Sequence, residues 1–407
     1  MLPGTGVPHC ENGDEARTRP SLLIRGGQVF DPAKAEFARQ DIALADGKIA
    51  RIAPTIEAAP GAKQIDARGL IVTPGLVDAH VHAFRWGQLI GLDVDPLSSR
   101  SGVTTFVDGG SSGSLNFMAL RRFVVERVRS NLYALLNVSA LGQVVDGIQG
   151  LDAGEYDDLR FLHLSSAAEV VEKNRDLIVG IKVRMYTGLT TLAPMSSARE
   201  LADAVGLPLV VHVAKAPPSF ADLLPYLRAG DVVTHMYHPG PGALVDRHGK
   251  VRTEYLEARK RGVLFDTGTA RFHTCFPVAR AALDQGFAPD TISTDLTLNN
   301  YTHITIDMPT TLSKFLALGL TLEQVLRMAT TEPAKLLPKE RAHGQLAEGL
   351  PADLALFELE SRGFTYEDFF GNTLRAERRL VSRMTLKDGG VLTPEEQEPM
   401  PFSFMRK

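Results

Sequence analysis

His80 and His82 stand two residues apart at the end of a short apolar run, Gly69-Leu-Ile-Val-Thr-Pro-Gly-Leu-Val-Asp-Ala-His-Val-His82. Side chains on a strand repeat every second residue, so both imidazoles face the same way. Two imidazoles on one face at the end of a buried strand are the beginnings of a metal site. Further ligand-capable side chains lie in or close other apolar runs. These are Lys182 in 178–183, His212 in 207–213, His235 at the end of 231–235 and Asp295 at the end of 290–295. Imidazoles, a carboxylate and an apolar-flanked amine at the ends of different runs strengthen the case for a metal site.

The elements that must position these residues follow from periodicity. Eight strand-like runs (76–82, 103–107, 132–138, 178–183, 207–213, 231–235, 262–266 and 290–295) alternate with amphipathic stretches at 115–130, 167–176, 196–205, 253–261 and 277–286. Helices at 321–329 and 333–337 would close the series. This alternation predicts an α/β fold, a (β/α)8 TIM-like barrel over 75–339, whose chemistry sits at the C-terminal ends of its strands. The ligand-capable residues fall at those ends. Segments 21–74 and 340–393 carry short alternating runs split by Asp46-Gly47, Pro60-Gly61 and Asp388-Gly389. That is strand-and-hairpin grammar, and the two segments are expected to form one small β-sandwich domain. Residues 1–20, with His9 and Cys10, are expected to be a disordered lead, and 394–407 a loose tail.

Composition narrows the function. The 407-residue chain has a net charge of -4, with 23 % charged and 44 % hydrophobic residues. No electrostatic case exists for a nucleic acid or an anionic membrane as partner. No apolar run reaches the ~18 residues of a membrane span, and residues 1–20 lack the apolar core of a secretory signal. Cytoplasm is the default expectation. Cys10 and Cys275 lie in unrelated contexts and do not suggest a disulfide framework. A small-molecule substrate and a homo-oligomer are expected.

Pro74-Gly-Leu-Val-Asp-Ala-His-Val-His82, Val211-His212, Thr234-His235 and Ser293-Thr-Asp295 resemble the metal motifs of the amidohydrolase superfamily. So does Gly344-Gln-Leu-Ala-Glu-Gly-Leu-Pro-Ala-Asp-Leu-Ala-Leu-Phe357, and the resemblance runs from Ser21 to about Gly390. Ser101-Gly-Val-Thr-Thr-Phe-Val-Asp-Gly-Gly110, Gly180-Ile-Lys-Val-Arg184 and Ser313-Lys-Phe-Leu-Ala-Leu-Gly319 are similar to a dihydroorotase-related, deacetylase-like branch. That branch includes acyl ester and N-acyl amino acid hydrolases. The resemblance implies two zinc ions bridged by a carboxylated Lys182, with His80, His82 and Asp295 on one and His212 and His235 on the other. Burial among cations favours the neutral amine that carboxylation requires. Asp295 is then both ligand and catalytic proton shuttle between the attacking hydroxide and the leaving group.

On the substrate side, Arg184 shares the face of Lys182 and is a candidate for a substrate carboxylate. Tyr186, His238, Thr269 and His273 are candidates for the pocket, and Gly109–Gly113 for an anion-binding loop or a plain flexible one. The branch's Gly-His-Gly after strand seven is replaced here by Asp266-Thr-Gly-Thr-Ala270, which puts Thr269 at the histidine's place and His273 four residues on. The leading reading is zinc-dependent hydrolysis of an amide or ester bond in a small acylated amino or hydroxy acid. A dihydroorotase-like cyclic amidase and an N-acyl-D-amino-acid deacylase are the enzymatic alternatives. A non-catalytic partner subunit of the same fold is the alternative of another class, and such proteins lose ligands that this chain keeps.

Overall fold

Strand grammar at the two ends produces one sheet. The computed structural model describes residues 20–144, 153–186, 189–213, 219–338 and 343–398. The first strands are β1 (Leu22–Asp31), β2 (Glu36–Ala45), β3 (Lys48–Ala53), β4 (Lys63–Asp66) and β5 (Ile71–Pro74). Next come β6 (Leu76–Val81), β7 (Val103–Asp108), β8 (Asn131–Asn137), β9 (Ile178–Arg184), β10 (Leu209–His212), β11 (Val232–Thr234) and β12 (Leu264–Asp266). The last are β13 (Leu354–Glu367), β14 (Thr373–Lys387) and β15 (Gly390–Val391).

Strands β1–β5 and β13–β15 hydrogen-bond as one eight-stranded sheet, in the order β15-β14-β13-β5-β1-β2-β3 with β4 on β1. The pairing is continuous through β5, so it does not give the two separate sheets of the expected sandwich. Its β2–β3 and β14–β15 hairpins turn on Asp46-Gly47 and Asp388-Gly389, all four residues at positive φ (49°, 74°, 48° and 75°). That is the backbone of a tight two-residue hairpin, which Asp-Gly accepts readily. One apolar face, with Ile24, Val29, Ile42, Leu44, Val72, Leu354, Leu356 and Leu386, forms the core of this sheet.

Strands β6–β12 form a second sheet of seven strands, all paired in parallel and in chain order. Alternation along these strands sorts the side chains. Ile181, Val183, Leu209 and Val211 enter the outer core beneath the helices. Val77, Val107, Tyr133, Val179, Val210 and Val232 pack with Leu337 in an inner cluster. Helices Leu164–Lys173, Ala193–Val205, Thr253–Lys260, Phe276–Leu283 and Leu322–Arg327 follow where periodicity puts them.

The eighth expected strand is not a regular one. Segment 290–296 makes isolated parallel bridges, Asp266 to Thr291 on one edge of the curled sheet and Val81 to Leu296 on the other. The ladder is interrupted because Asp295 takes φ 50°. The hydroxyls of Thr291, Ser293 and Thr294 meanwhile donate to Asp266 and Asp78.

Other departures are local. The stretch expected as a helix over 115–130 holds one α-turn, Phe117–Leu120, running into a wider turn, Arg121–Val125. Helix Met308–Ala317 was not expected, although Asp307 caps it by accepting the Thr310 N–H at 2.8 Å. The lead 1–19, the crossing at 339–342 and the tail 399–407 lie outside the described residues. Residues 394–398 are not loose: Gln397 Oε1 accepts the Asp93 N–H at 3.0 Å, and Arg85 donates to the Glu398 carbonyl at 2.8 Å. Among the described residues no helix is long and apolar enough to cross a membrane.

Candidate metal centre and active site

Curling of the parallel sheet brings the strand ends together. His80, His82, Lys182, His212, His273 and Asp295 line one cavity of about 410 Å³, which Arg184, Tyr186 and Glu155 share. His235 lies beside it, its ring 4.2 Å from that of His212 and 3.9 Å from that of His273. Asp295 stands at the centre. Its Oδ1 is 3.6 Å from His80 Nε2 and 3.2 Å from His82 Nε2. Its Oδ2 is 3.9 Å from His235 Nε2 and 3.4 Å from His273 Nδ1.

Hydrogen bonds behind the rings determine which nitrogen carries the proton. Ser111 spends its O–H on Asp108 at 2.8 Å, so its oxygen accepts from His82 Nδ1 at 2.8 Å. Thr234 spends its O–H on Asp266 at 2.7 Å and so accepts from His80 Nδ1 at 3.3 Å. The Gly268 carbonyl, which can only accept, faces His235 Nδ1 at 2.7 Å. In the neutral tautomer that these bonds select, each ring keeps its lone pair on Nε2, which faces the Asp295 carboxylate. Acceptors that converge on acceptors suit a cation between them. Asp295 Oδ1, buried and without a hydrogen-bond partner among the described residues, fits the same reading.

Electrostatics favours the ligand states. Burial pushes the imidazoles of His80, His212 and His235 well below their usual range, and neighbouring positive groups add to this. Burial works to raise Asp295, and positive charge beside it is what holds its carboxyl well below the usual carboxylate range. Lys182 is lowered to about 8, mainly by burial, and its Nζ lies 3.1 Å from His80 Nε2. A neutral-imidazole and carboxylate set of this kind fits a divalent cation with nitrogen and oxygen ligands.

One grouping differs from the expected division of ligands. The three donor atoms within 4.8 Å of one another belong to His80, His235 and Asp295, which takes residues from both expected half-sites. Asp295 turns Oδ1 toward His80 and His82 and Oδ2 toward His235, so it reaches a residue of each expected half.

Glycines make the room. A Cβ on Gly109 would lie 2.3 Å from His80 Cδ2, and one on Gly110 2.6 Å from Lys182 Cβ. The 109–113 loop is thus neither plainly flexible nor an anion cradle. The Gly110 and Ser111 N–H groups already donate to Asp108 Oδ1 at 3.1 and 2.7 Å.

Other expected pocket residues sort differently. Tyr186 lines the cavity, stacked on Tyr156 with ring centroids 6.0 Å apart. Arg184 lines it too, but its guanidinium donates to the buried Glu155 at 2.9 Å. His238 is buried away from the cavity lining and accepts the Gly240 N–H at 3.1 Å. Thr269 donates to the Ser293 carbonyl at 3.1 Å, so it braces the turn after β12.

Sequence reasoning missed Glu155, which carries no local signal on its loop. It also missed Asp108 and Asp266, whose positions at the ends of β7 and β12 are the signal that locates them.

Comparison with known proteins agrees with this geometry. Residues 228–382 match the amidohydrolase family. A deacetylase of Agrobacterium fabrum is 30 % identical over 379 residues, 91 % of this chain and 92 % of that protein. Two crystal structures, titled as an adenine deaminase and a dihydroorotase, each superpose with a TM-score of 0.83 at 28 % identity. They cover 91 % and 94 % of this chain, and 99 % of their own chains.

Proposed function

This chain belongs to the amidohydrolase family, and on that premise we propose that it is a zinc-dependent hydrolase of an amide or ester bond in a small acylated amino or hydroxy acid. It is a hydrolase acting on C–N bonds by its relatives. The observation that carries the metal-dependent reading is the convergence of three Nε2 lone pairs on the Asp295 carboxylate. The strand order and the two bridges of segment 290–296 support a (β/α)8 barrel whose last strand is irregular.

His80, His82 and Asp295 would hold one zinc and His212 and His235 a second. Lys182 would bridge them after its neutral amine adds carbon dioxide, forming an N–C bond and releasing a proton. Zinc, when bound, supplies Lewis acidity and an acidified water. Asp295 would accept a proton at its carboxylate and pass it to the leaving nitrogen or oxygen, a task suited to a buried carboxylate. The hydrogen-bonded pairs Ser111–Asp108 and Thr234–Asp266 keep His82 and His80 in the ligating tautomer. Tyr186, Phe272 and Ile90 contribute apolar surface to the cavity wall.

Metal content per chain, after growth with zinc and bicarbonate, tests this beside a screen of N-acyl amino acids, acylated hydroxy acids and cyclic amides. Two zinc ions with acylated-acid turnover support the reading. Turnover of cyclic amides alone would favour the dihydroorotase-like alternative, which the likeness to a dihydroorotase structure supports. Absence of both metal and turnover would leave the partner-subunit reading.

A further inference from the structure

Among the described residues two arginines line the cavity, Arg184 and Arg271. Arg184 is committed to Glu155, a buried carboxylate 2.9 Å away, so this pair presents little net charge to a ligand. Arg271 differs. Among the described residues it makes no ion pair and no hydrogen bond, and its Nε is buried without a partner. It comes two residues before His273, whose Nδ1 is 3.4 Å from Asp295.

The local backbone aims it there. Ala270 takes φ 44°, its N–H donates to the Thr294 carbonyl at 2.8 Å, and its own carbonyl accepts from Thr305 at 2.5 Å. The guanidinium is steadied from the other sheet: Phe369, at the turn between β13 and β14, puts its ring centroid 5.1 Å from Arg271 Cζ. Contact with an aromatic face orients a guanidinium without consuming its N–H donors.

We infer that Arg271, oriented by Phe369, binds the carboxylate of the acylated acid and thereby sets the end of the substrate opposite the scissile carbonyl. The inference rests on the hydrolase reading above and transfers to Arg271 the role that strand alternation suggests for Arg184. A single planar fork matches a carboxylate in two parallel hydrogen bonds. A dianionic phosphate fits less well, because one guanidinium leaves its second charge facing Glu155 across the same cavity.

The test uses the metal-loaded full chain and N-methanesulfonyl-alanine, both enantiomers, against the corresponding carboxamide. The sulfonamide resists hydrolysis, so calorimetry reads binding alone. Wild type is expected to favour the carboxylate by roughly 10- to 100-fold, the worth of a charge-assisted bidentate contact. In Arg271→Gln that preference falls close to unity at unchanged metal content. Arg271→Lys, which keeps charge but loses the fork, restores part of it. Phe369→Leu lowers it roughly two- to fivefold. A preference that survives Arg271→Gln, or a wild type with none, overturns the assignment.

A kinetic arm compares kcat/KM for N-acetyl-alanine and its carboxamide. Equal turnover of both by wild type overturns the anchor while the hydrolase stands. No turnover, with carboxylate selectivity intact in calorimetry, sinks the hydrolase reading and leaves the anchor.

Discussion

Gly109→Ala is a one-methyl perturbation of the metal centre. Gly109 has no positive φ, so alanine meets no backbone strain there, but its Cβ would lie 2.3 Å from His80 Cδ2 and 2.4 Å from His80 Nε2. Carbon atoms in contact sit about 3.5 Å apart, so the ring must retreat by about 1 Å. Metal–ligand distances tolerate only about ±0.2 Å. His80 cannot retreat freely: its backbone carbonyl accepts the Asp295 N–H at 2.7 Å, and its Nδ1 is held by Thr234. The overpacking should cost about 1–3 kcal/mol of stability, which a domain of this size survives. Zinc affinity should fall at least as far as when a hydrogen bond behind a ligand is lost, roughly 10- to 100-fold. Titration with a competing chelator reads this directly, with circular dichroism as the check on folding. Gly363→Ala on β13, where a new Cβ meets nothing within 4 Å, is the control. A folded Gly109→Ala protein with wild-type zinc affinity would refute the placement of His80 in the metal site.

Three further outcomes are expected. Asp295→Asn keeps the shape of the side chain but not its basicity, so turnover should drop by roughly 10²–10⁴-fold; undiminished turnover would remove Asp295 from proton transfer. Wild type supplied with carbon-13 bicarbonate should show a carbamate carbon signal that Lys182→Ala lacks, together with two zinc ions against fewer in the variant; a wild type without the signal argues against carboxylation. Asp368, 3 % exposed, accepts the backbone N–H groups of Phe276, Phe370 and Asn372, each at 2.9 Å. Asp368→Ala should lower stability by about 1–3 kcal/mol, seen as an earlier urea midpoint, and an unmoved midpoint would show that water replaces the carboxylate without loss.

What was legible in the sequence was whatever repeats along it. The strands of the parallel sheet announce themselves as apolar runs, and His80, His82, Lys182, His212 and Asp295 were found because each closes or occupies such a run. Where the backbone departs from periodicity, the reading stopped. Strand eight is irregular because Asp295 adopts φ 50° and nearby hydroxyls bond to buried aspartates, neither of which alters the hydrophobic pattern. The Arg184–Glu155 pair joins residues 29 positions apart, and Phe369 reaches Arg271 from nearly 100 positions away. No local spacing encodes such meetings. His343 is buried against Tyr133 at 2.9 Å and Thr105 at 3.2 Å, contacts over more than 200 positions that no local pattern marks.

The seam between β5 and β13 has a consequence for biosynthesis. Pro74 pairs with Leu354, so the end sheet closes only after 280 further residues have been made. At about 5–20 residues per second that interval is roughly 14 to 56 s. Through it, β5 carries an unpaired edge, and apolar side chains such as Val72 lack the partners that β13 brings, the kind of surface that chaperones hold and that aggregation exploits. The hairpin bearing Phe369 emerges after β13 begins, so the aromatic support of Arg271 is among the last parts of the site to arrive. On the ligand set proposed above, which ends at Asp295, the chain completes its metal ligands before Phe369 is made.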